Sequence, residues 1–160
     1  MNKVALVTGA SSGIGEAIAT RLIAQGWTVF AAARRMERMS ALGQKGARLV
    51  SLDLEDDASI KAAMAMLCDQ SGRIDALINN AGYGAYGALE DMPLTEARRQ
   101  VEVNLFGLAR LIQLALPAMR QQGGGRIVNI SSIGGKIHEP MGAWYHATKF
   151  AVEGLSDCLR

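Results

Sequence analysis

Short apolar runs alternate with stretches of helical periodicity along the whole chain. Each run is almost entirely apolar, whereas a strand with one face in water would alternate apolar and polar residues. Such runs are typical of parallel strands that are covered on both faces. The pattern predicts five strands, at Val4–Thr8, Trp27–Ala33, Ala47–Leu52, Ile74–Ile78 and Arg126–Ile130.

Between these runs, apolar residues recur every three or four positions, which indicates amphipathic helices. The predicted helices are Ile14–Gln25, Asp57–Gln70, a long one from about Thr95 to Gln121, and a last one that begins near Tyr145. Alternating strands and helices predict βαβ units and an α/β fold with a doubly wound parallel sheet. Because a doubly wound dinucleotide fold generally has six strands, we expect this five-stranded sheet to be incomplete on its C-terminal side.

Composition favours one globular domain, residues 1–160, over a disordered or fibrous chain. Apolar residues make up 49% of the sequence, and 17 basic against 15 acidic residues leave a net charge of only +2. The sequence contains no run of like charges that would indicate a nucleic-acid partner. It also contains no apolar run that approaches the ~20 residues of a membrane span. We therefore expect a cytoplasmic protein that binds neither nucleic acid nor membrane.

The two cysteines, Cys68 and Cys158, stand far apart and fit no metal-binding or redox spacing. Both fall in predicted helices, where we expect them to be buried or half-buried thiols. No cluster of ligand residues accompanies them, so the sequence predicts no metal site.

The first predicted strand runs into a glycine-rich turn, and a helix follows directly. The turn reads TGASSGIG over residues 8–15, with glycines at Gly9, Gly13 and Gly15. Backbone N–H groups and the helix dipole at such a turn attract phosphate, and glycines let a pyrophosphate approach closely. The spacing matches neither the G-x-G-x-x-G pattern nor a Walker loop. A turn that needs its glycines only for geometry is the alternative.

Charged residues follow the second and third strands. Arg34 and Arg35 stand where an acidic residue would bind a ribose hydroxyl of NAD, and a guanidinium there suits the 2′-phosphate of NADP. We therefore expect NADP(H) to be preferred over NAD(H), unless the two arginines are merely solvated at the start of a helix. Asp53 ends the third strand and either hydrogen-bonds an adenine amino group or caps the next helix.

Tyr145 and Lys149 are one helical turn apart and share one helix face. A free tyrosine is a poor acid–base group at neutral pH. An adjacent ammonium stabilises the phenolate, which would let the pair exchange a proton with a carbonyl or hydroxyl oxygen. Ser132 follows the fifth strand, at the sheet edge where α/β proteins bind ligands. Its hydroxyl either donates to the same oxygen or serves a turn or helix cap.

Together, these features make the sequence similar to the short-chain dehydrogenase/reductase family. Five motifs agree in order and spacing along Lys3–Arg160: the glycine-rich turn, Asn79-Asn80-Ala81-Gly82 after the fourth strand, Asn104 in the long helix, Ser132, and Tyr145-x-x-x-Lys149. The resemblance implies a Rossmann-like fold and an NADP(H)-dependent oxidoreductase that acts on a small-molecule ketone or secondary alcohol. It also implies a homodimer or homotetramer formed through the long helix and the helix that carries Tyr145.

The resemblance also assigns roles to individual residues. Tyr145 would be the general acid–base, Lys149 would hold the nicotinamide ribose and stabilise the phenolate, and Ser132 would orient the substrate oxygen. Asn104 would anchor a water that links Lys149 to solvent, whereas the sequence by itself indicates only a polar side chain that bonds to backbone. The expected cofactor contacts are Gly9, Ser11, Ser12, Gly13, Ile14, Gly15, Arg34, Arg35, Asp53, Leu54, Asn80, Ala81, Gly82, Tyr145 and Lys149.

Members of this family continue beyond the point that matches Arg160, with a sixth strand and a mobile substrate loop. The resemblance therefore implies that residues 1–160 lack these elements. A truncated, non-catalytic NADP-binding fragment is the alternative to an active oxidoreductase. Residues near the predicted site either line an apolar substrate pocket or pack within loops; they are Tyr83, Tyr86, Ile133, His138 and Trp144.

Overall fold

The computed structural model describes residues 2–159 and confirms an α/β fold built on a parallel sheet. The spatial order of the strands is β3-β2-β1-β4-β5. Their bounds lie within two residues of the predicted ones: β1 Val4–Thr8, β2 Thr28–Ala33, β3 Arg48–Ser51, β4 Ala76–Asn79 and β5 Arg126–Asn129.

Helices connect the strands and lie on both faces of the sheet. In the described part of the chain they are α1 Gly13–Ala24, α2 Ser40–Gln44, α3 Asp57–Ser71, α4 Leu94–Val101, α5 Gly107–Gln121 and α6 Ala143–Cys158. A short 3-10 turn, Met36–Met39, precedes α2, and another, Ile133–Gly135, precedes α6.

Alternate strand positions supply two apolar cores, one on each face of the sheet. Leu6, Phe30 and Leu77 belong to the core that is covered by α3, α5 and α6. Val7 and Ala31 belong to the core beneath α1 and α2. Each fully buried leucine or phenylalanine side chain contributes about 1.5–3 kcal/mol of transfer free energy. The inner strands β2, β1 and β4 are thus packed from both faces of the sheet, and the segments after β1 and β4 start from these packed strands.

The two edge strands depart from the prediction that all strands are covered on both faces. In β3, Arg48 and Ser51 are exposed, and in β5, Arg126 and Val128 are exposed. Among residues 2–159, each of these strands pairs with a neighbour on one side only. In β3, Val50 belongs to one core and Leu49 packs against the other, and in β5, Ile127 packs against one core, whereas β1 and β4 are buried throughout.

The predicted long helix is one helical stretch, Leu94–Gln121, but it contains a widened turn. A π-helical turn, Glu102–Phe106, separates α4 from α5, and Asn104 is buried within it. Turns of this kind are frequent at functional sites. By length and composition alone the stretch is apolar enough to cross a membrane, a test that core helices of soluble proteins also pass. Here the buried side chains of α5 pack into the core on one face of the sheet.

Both cysteines are exposed, which corrects the expectation of buried or half-buried thiols. Cys68 lies on the outer face of α3, one position after the buried Leu67, and Cys158 is the last residue of α6. A helix turns by about 100° per residue, which places Cys68 beyond the edge of the buried stripe formed by Ile60, Ala63, Met64 and Leu67.

Gly107 allows the first turn of α5 to touch the loop after β3, and we expect its replacement to loosen this contact. A Cβ there would lie 2.6 Å from Cβ and 2.7 Å from the carbonyl oxygen of Leu54. Gly107→Ala should lower the free energy of unfolding by about 1–3 kcal/mol because the core must shift to accept the methyl group. Gly154→Ala, on α6 where nothing lies within 4 Å, is the matched control.

That control should raise stability by about 0.5–1 kcal/mol through the helix preference of alanine. Urea unfolding followed by circular dichroism measures both variants. Equal effects of the two substitutions would contradict the close contact at Gly107.

Candidate active site

A cavity of about 650 Å³ opens at the carboxyl edge of the sheet, where β1 and β4 lie side by side. The chain after β1 leads to β2 on one side, and the chain after β4 leads to β5 on the other. Ligands of open α/β sheets bind at such a point, and sites for small molecules span about 300–1,000 Å³. The cavity wall contains every predicted cofactor contact except Gly15.

Thr8 ties the ends of β1 and β4 together. Its hydroxyl oxygen accepts hydrogen bonds from the backbone N–H groups of Asn80 and Ala81, each at 3.0 Å. The amide of Asn80 in turn donates to the carbonyl oxygens of Thr8, at 3.0 Å, and Gly9, at 3.3 Å. The glycine-rich turn and the segment after β4 therefore form one hydrogen-bonded unit.

The glycines of the turn have two different roles. A Cβ on Gly15 would lie 2.4 Å from the carbonyl oxygen of Gly9, and one on Gly9 would lie 2.8 Å from Cα of Ala81. These two glycines are needed for close packing. Gly13 has a φ of 58° and open space where a Cβ would stand. It lies on the cavity wall, so a bulky group can approach its backbone.

The first turn of α1 lies at the cavity wall, where its backbone N–H groups have no partner within the helix. Ser12 stands at the N-cap with an extended backbone, and its side chain makes no capping hydrogen bond. Ser11, Gly13 and Ile14 complete this part of the wall. The free N–H groups and the positive end of the helix dipole make the turn suitable for an anion such as a phosphate.

The residues after β2 and β3 form the other end of the same wall. Arg34, Arg35, Asp53 and Leu54 all line the cavity. The structure decides which aspartate caps α3: the side chain of Asp56 accepts from the N–H of Ala58. Asp53 instead accepts from the N–H of Glu55, at 3.1 Å, and remains at the cavity wall.

Tyr145 and Lys149 lie on the cavity-facing side of α6. Lys149 is only 7% exposed, and its Nζ donates to the carbonyl oxygen of Ile130 at 2.9 Å. Burial lowers the pKa of Lys149 below its usual range. Its Nζ lies 5.9 Å from the ring centroid of Tyr145. Within residues 2–159, no protein group hydrogen-bonds the hydroxyl of Tyr145, so that hydroxyl is available to a ligand.

Asn104 is enclosed by protein and does not reach the cavity wall. Its side-chain oxygen accepts from the N–H of Tyr83 at 3.0 Å, and its amide donates to the Tyr83 carbonyl at 2.8 Å and to Thr148 Oγ1 at 3.1 Å. These bonds to backbone agree with the simpler expectation from sequence. They fasten the segment after β4 to α6, one residue away from Lys149.

Ser132 and its neighbour Ser131 differ in their relation to the cavity. The Ser132 hydroxyl oxygen accepts from the N–H of Gly134 at 3.1 Å and caps the short helix that follows. Ser132 is not part of the cavity wall, whereas Ser131 is. Among the described residues, nothing hydrogen-bonds the buried Ser131 hydroxyl. In this arrangement Ser132 has the cap geometry that the sequence left open as an alternative.

Two further tyrosines line the cavity, but one of them is already engaged. The hydroxyl of Tyr83 donates to Glu96 at 2.9 Å. Burial, then the hydrogen bond and charge of Glu96, raise the pKa of Tyr83 to about 12. The ring of Tyr86 lies 5.6 Å from that of Tyr145. Ile133, His138 and Trp144 are absent from the wall of this cavity.

His146 is a structural residue of the site that sequence reasoning missed. It is 7% exposed, and its Nδ1 lies 2.9 Å from the Gly134 carbonyl oxygen, which requires a proton on Nδ1. Its Nε2 accepts from the N–H of Glu139 at 3.2 Å. A neutral imidazole thus fastens the loop after Ser132 to α6, beside Tyr145. Its position next to Tyr145 in the sequence was the only available signal.

A metal ion has no evident place in this arrangement. In the described part of the chain, no group of three or more His, Cys, Asp or Glu side chains is placed to hold one.

Comparison with known proteins places these features in one family. Residues 3–160 match the family model described as short chain dehydrogenase. The chain is 40% identical to the 3-ketodihydrosphingosine reductase of Bacteroides thetaiotaomicron, over 98% of this chain and 57% of that protein. The chain therefore spans little more than half the length of that relative.

Solved structures agree closely. A short-chain dehydrogenase from Streptomyces avermitilis superposes with a TM-score of 0.96 and 44% identity, over 99% of this chain and 60% of that one. The actinorhodin polyketide ketoreductase with NADPH superposes with a TM-score of 0.93 and 38% identity, over 99% of this chain and 64% of that one.

Replacement of His146 should release the loop that it fastens. His146→Phe keeps the ring volume but leaves the Gly134 carbonyl and the Glu139 N–H without partners, so we expect a loss of about 1–3 kcal/mol in stability. Hydrogen exchange at the Glu139 amide should accelerate. His138→Phe, at an exposed position of the same loop, should change stability by less than about 0.5 kcal/mol. Unchanged exchange at Glu139 in the His146 variant would contradict the role given to the imidazole.

Proposed function

Since the chain belongs to the short chain dehydrogenase family, we propose that it binds NADP(H) and serves an oxidoreductase that interconverts a ketone and a secondary alcohol. The observation that carries this proposal is that the wall of one cavity contains the glycine-rich turn together with Tyr145 and Lys149. Residues 1–160 act in this proposal as one dinucleotide-binding domain.

The residues present fit a dinucleotide along the length of the cavity. The first turn of α1, with Ser12 uncapped and open space at Gly13, suits the pyrophosphate. Asp53 and Leu54 suit the adenine, and Arg34 with Arg35 suits a 2′-phosphate. The actinorhodin polyketide ketoreductase structure, which contains NADPH, supports NADP(H) as the nucleotide. When bound, the nicotinamide supplies hydride transfer.

Proton transfer falls to Tyr145. Among residues 2–159, its hydroxyl has no hydrogen-bond partner, whereas the Tyr83 hydroxyl in the same wall donates to Glu96. Lys149 lies beside the Tyr145 ring and is buried, so its ammonium favours a phenolate in a site that screens charge weakly. The role of Lys149 in holding the nicotinamide ribose is part of the same proposal.

Ser132 and Asn104 assist Tyr145 and Lys149 in this proposal. A hydroxyl that accepts from Gly134 keeps its own proton, so Ser132 retains a hydrogen to donate to a substrate oxygen. Asn104 keeps α6 and the segment after β4 in register. A water that relays protons from Lys149 would lie in this region.

A homo-oligomer is the proposed assembly. Large apolar side chains are exposed on the helices expected to form the interface, namely Leu94 and Phe106 on the long helical stretch and Phe150 on α6. Exposed apolar groups of this kind favour association with a second copy.

Replacement of both arginines should abolish the preference for NADPH. In wild-type protein, titration of nicotinamide fluorescence should give a lower dissociation constant for NADPH than for NADH. Arg34→Ala with Arg35→Ala should raise that of NADPH roughly tenfold or more, because hydrogen bonds to charged groups contribute about 1.5–3 kcal/mol. The value for NADH should change by less than about twofold. Arg38→Ala, an exposed arginine outside the cavity wall, is the control, and equal losses for both nucleotides would refute the assignment.

Tyr145→Phe should separate proton transfer from binding. Loss of the hydroxyl should lower turnover of a ketone by roughly 10²-fold or more. The dissociation constant for NADPH should stay within a few-fold of wild type, since the ring and its packing remain. Tyr83→Phe removes the hydroxyl that is already bonded to Glu96 and should cost far less turnover. Unchanged turnover in the Tyr145→Phe variant would show that Tyr145 is not the general acid–base.

A further inference from the structure

Glu55, in the loop between β3 and α3, lies between two arginines that come from different parts of the fold. Arg99 on α4 points its Nε at both carboxylate oxygens of Glu55, at 3.1 Å each. Arg34, directly after β2, approaches the same carboxylate with its Nη1 3.5 Å from Oε2. One acidic side chain is therefore shared by two cations.

The two arginines are held with unequal strength. The contact of Arg99 is shorter and involves both oxygens, and its guanidinium also lies 5.8 Å from the ring centroid of Tyr83. Tyr83 is anchored in turn by Glu96. Arg34 makes the longer contact, and its side chain is 55% exposed. Arg34 is therefore the partner that can exchange Glu55 for another anion.

Arg34 lines the cavity, whereas Glu55 is not part of the cavity wall. The guanidinium has five N–H donors, of which the nearest to Glu55 is on Nη1. Arg34 is therefore open to an anion in the cavity as well as to Glu55. The carboxylate carries the same sign of charge as a phosphate and draws on the same cation, so the two oppose each other at Arg34.

We propose that Glu55 is a specificity-determining residue that holds Arg34 in the nucleotide-free protein and competes with the nucleotide 2′-phosphate for it. Arg99 limits this competition because it keeps the carboxylate paired when Arg34 turns toward the phosphate. The proposal rests on the NADP(H) site described above and deepens it. In this proposal, the preference for NADPH depends on how strongly Glu55 is paired with Arg34 and with Arg99.

Two substitutions should change NADPH binding in opposite directions. Glu55→Gln removes the competing charge and should lower the dissociation constant for NADPH by roughly threefold to tenfold, as expected for charges in a partly solvated setting. Arg99→Gln leaves the carboxylate to Arg34 alone and should raise that constant by a similar factor. The dissociation constant for NADH should change by less than about twofold in both variants. Exposed ion pairs contribute little to stability, so both variants should remain folded.

Matched controls remove the general effect of net charge. Glu90→Gln and Arg98→Gln make the same charge changes at exposed positions, and Arg98 is adjacent to Arg99 on α4. Neither should alter the ratio of the two dissociation constants. In an Arg34→Ala background, Glu55→Gln should lose most of its effect because the contested cation is gone.

The outcomes separate this proposal from the one on which it rests. A wild-type protein that binds NADPH no better than NADH would overturn both. A wild-type preference for NADPH that Glu55→Gln leaves unchanged or weakens would overturn only the competition, and so would equal effects of Glu55→Gln on the two nucleotides. Fluorescence titration at constant low ionic strength, repeated in about 0.15 M salt to screen exposed charges, provides every one of these readings.

Discussion

The hydroxyl of Thr8 joins the two strands between which the cavity opens. It accepts from two consecutive N–H groups after β4 and lies 3.4 Å from the Ile78 carbonyl, to which it donates. Thr8 is 1% exposed, and each N–H left unpaired there would cost about 1–3 kcal/mol. Because Asn80 also reaches back to the carbonyl oxygens of Thr8 and Gly9, the glycine-rich turn cannot move independently of the opposite wall. The width of the cavity at its centre depends on these few bonds.

The buried position of Lys149 removes water from its ammonium group, which costs free energy. A buried ammonium is costly, and the lowered pKa of Lys149 records that cost, since burial favours the neutral form. The folded pKa lies below the unfolded value, so the penalty is fully present below the folded pKa. It disappears as the pH rises from there toward 10.5. One hydrogen bond to the Ile130 carbonyl offsets part of it. A group kept at such a cost beside Tyr145 is expected at a site of proton transfer rather than in a core built only for stability.

The sequence was sufficient for features that depend on neighbouring residues. Blocks of apolar residues placed all five strands, and the motif at Tyr145 and Lys149 placed two side chains on one helix face. Features that depend on distant contacts were not accessible. Neither the exposure of Cys68 nor the two hydrogen bonds of His146 follows from local pattern, because each depends on how α3, α6 and the loop after β5 rotate against their surroundings. For Ser132, local pattern left a substrate contact and a cap as alternatives. Asp53, the cap considered from sequence, stands three residues before Asp56, which directly precedes the helix start at Asp57 and is the cap in the structure.

The two ends of the cavity differ in charge, and the topology accounts for this difference. The segments after β2 and β3 bring Arg34, Arg35 and Asp53 to one end, where charged groups remain partly hydrated. The segment after β4 and the helix α6 bring Tyr86, Tyr145 and the buried Lys149 to the other end. Among residues 2–159, the exposed Arg34 is paired with Glu55, whereas the buried ammonium of Lys149 donates to a carbonyl oxygen. In the proposed function, recognition of the nucleotide phosphate can therefore be adjusted at the first end by single charge changes, while proton transfer at the second end depends on Tyr145 and the buried Lys149 of α6.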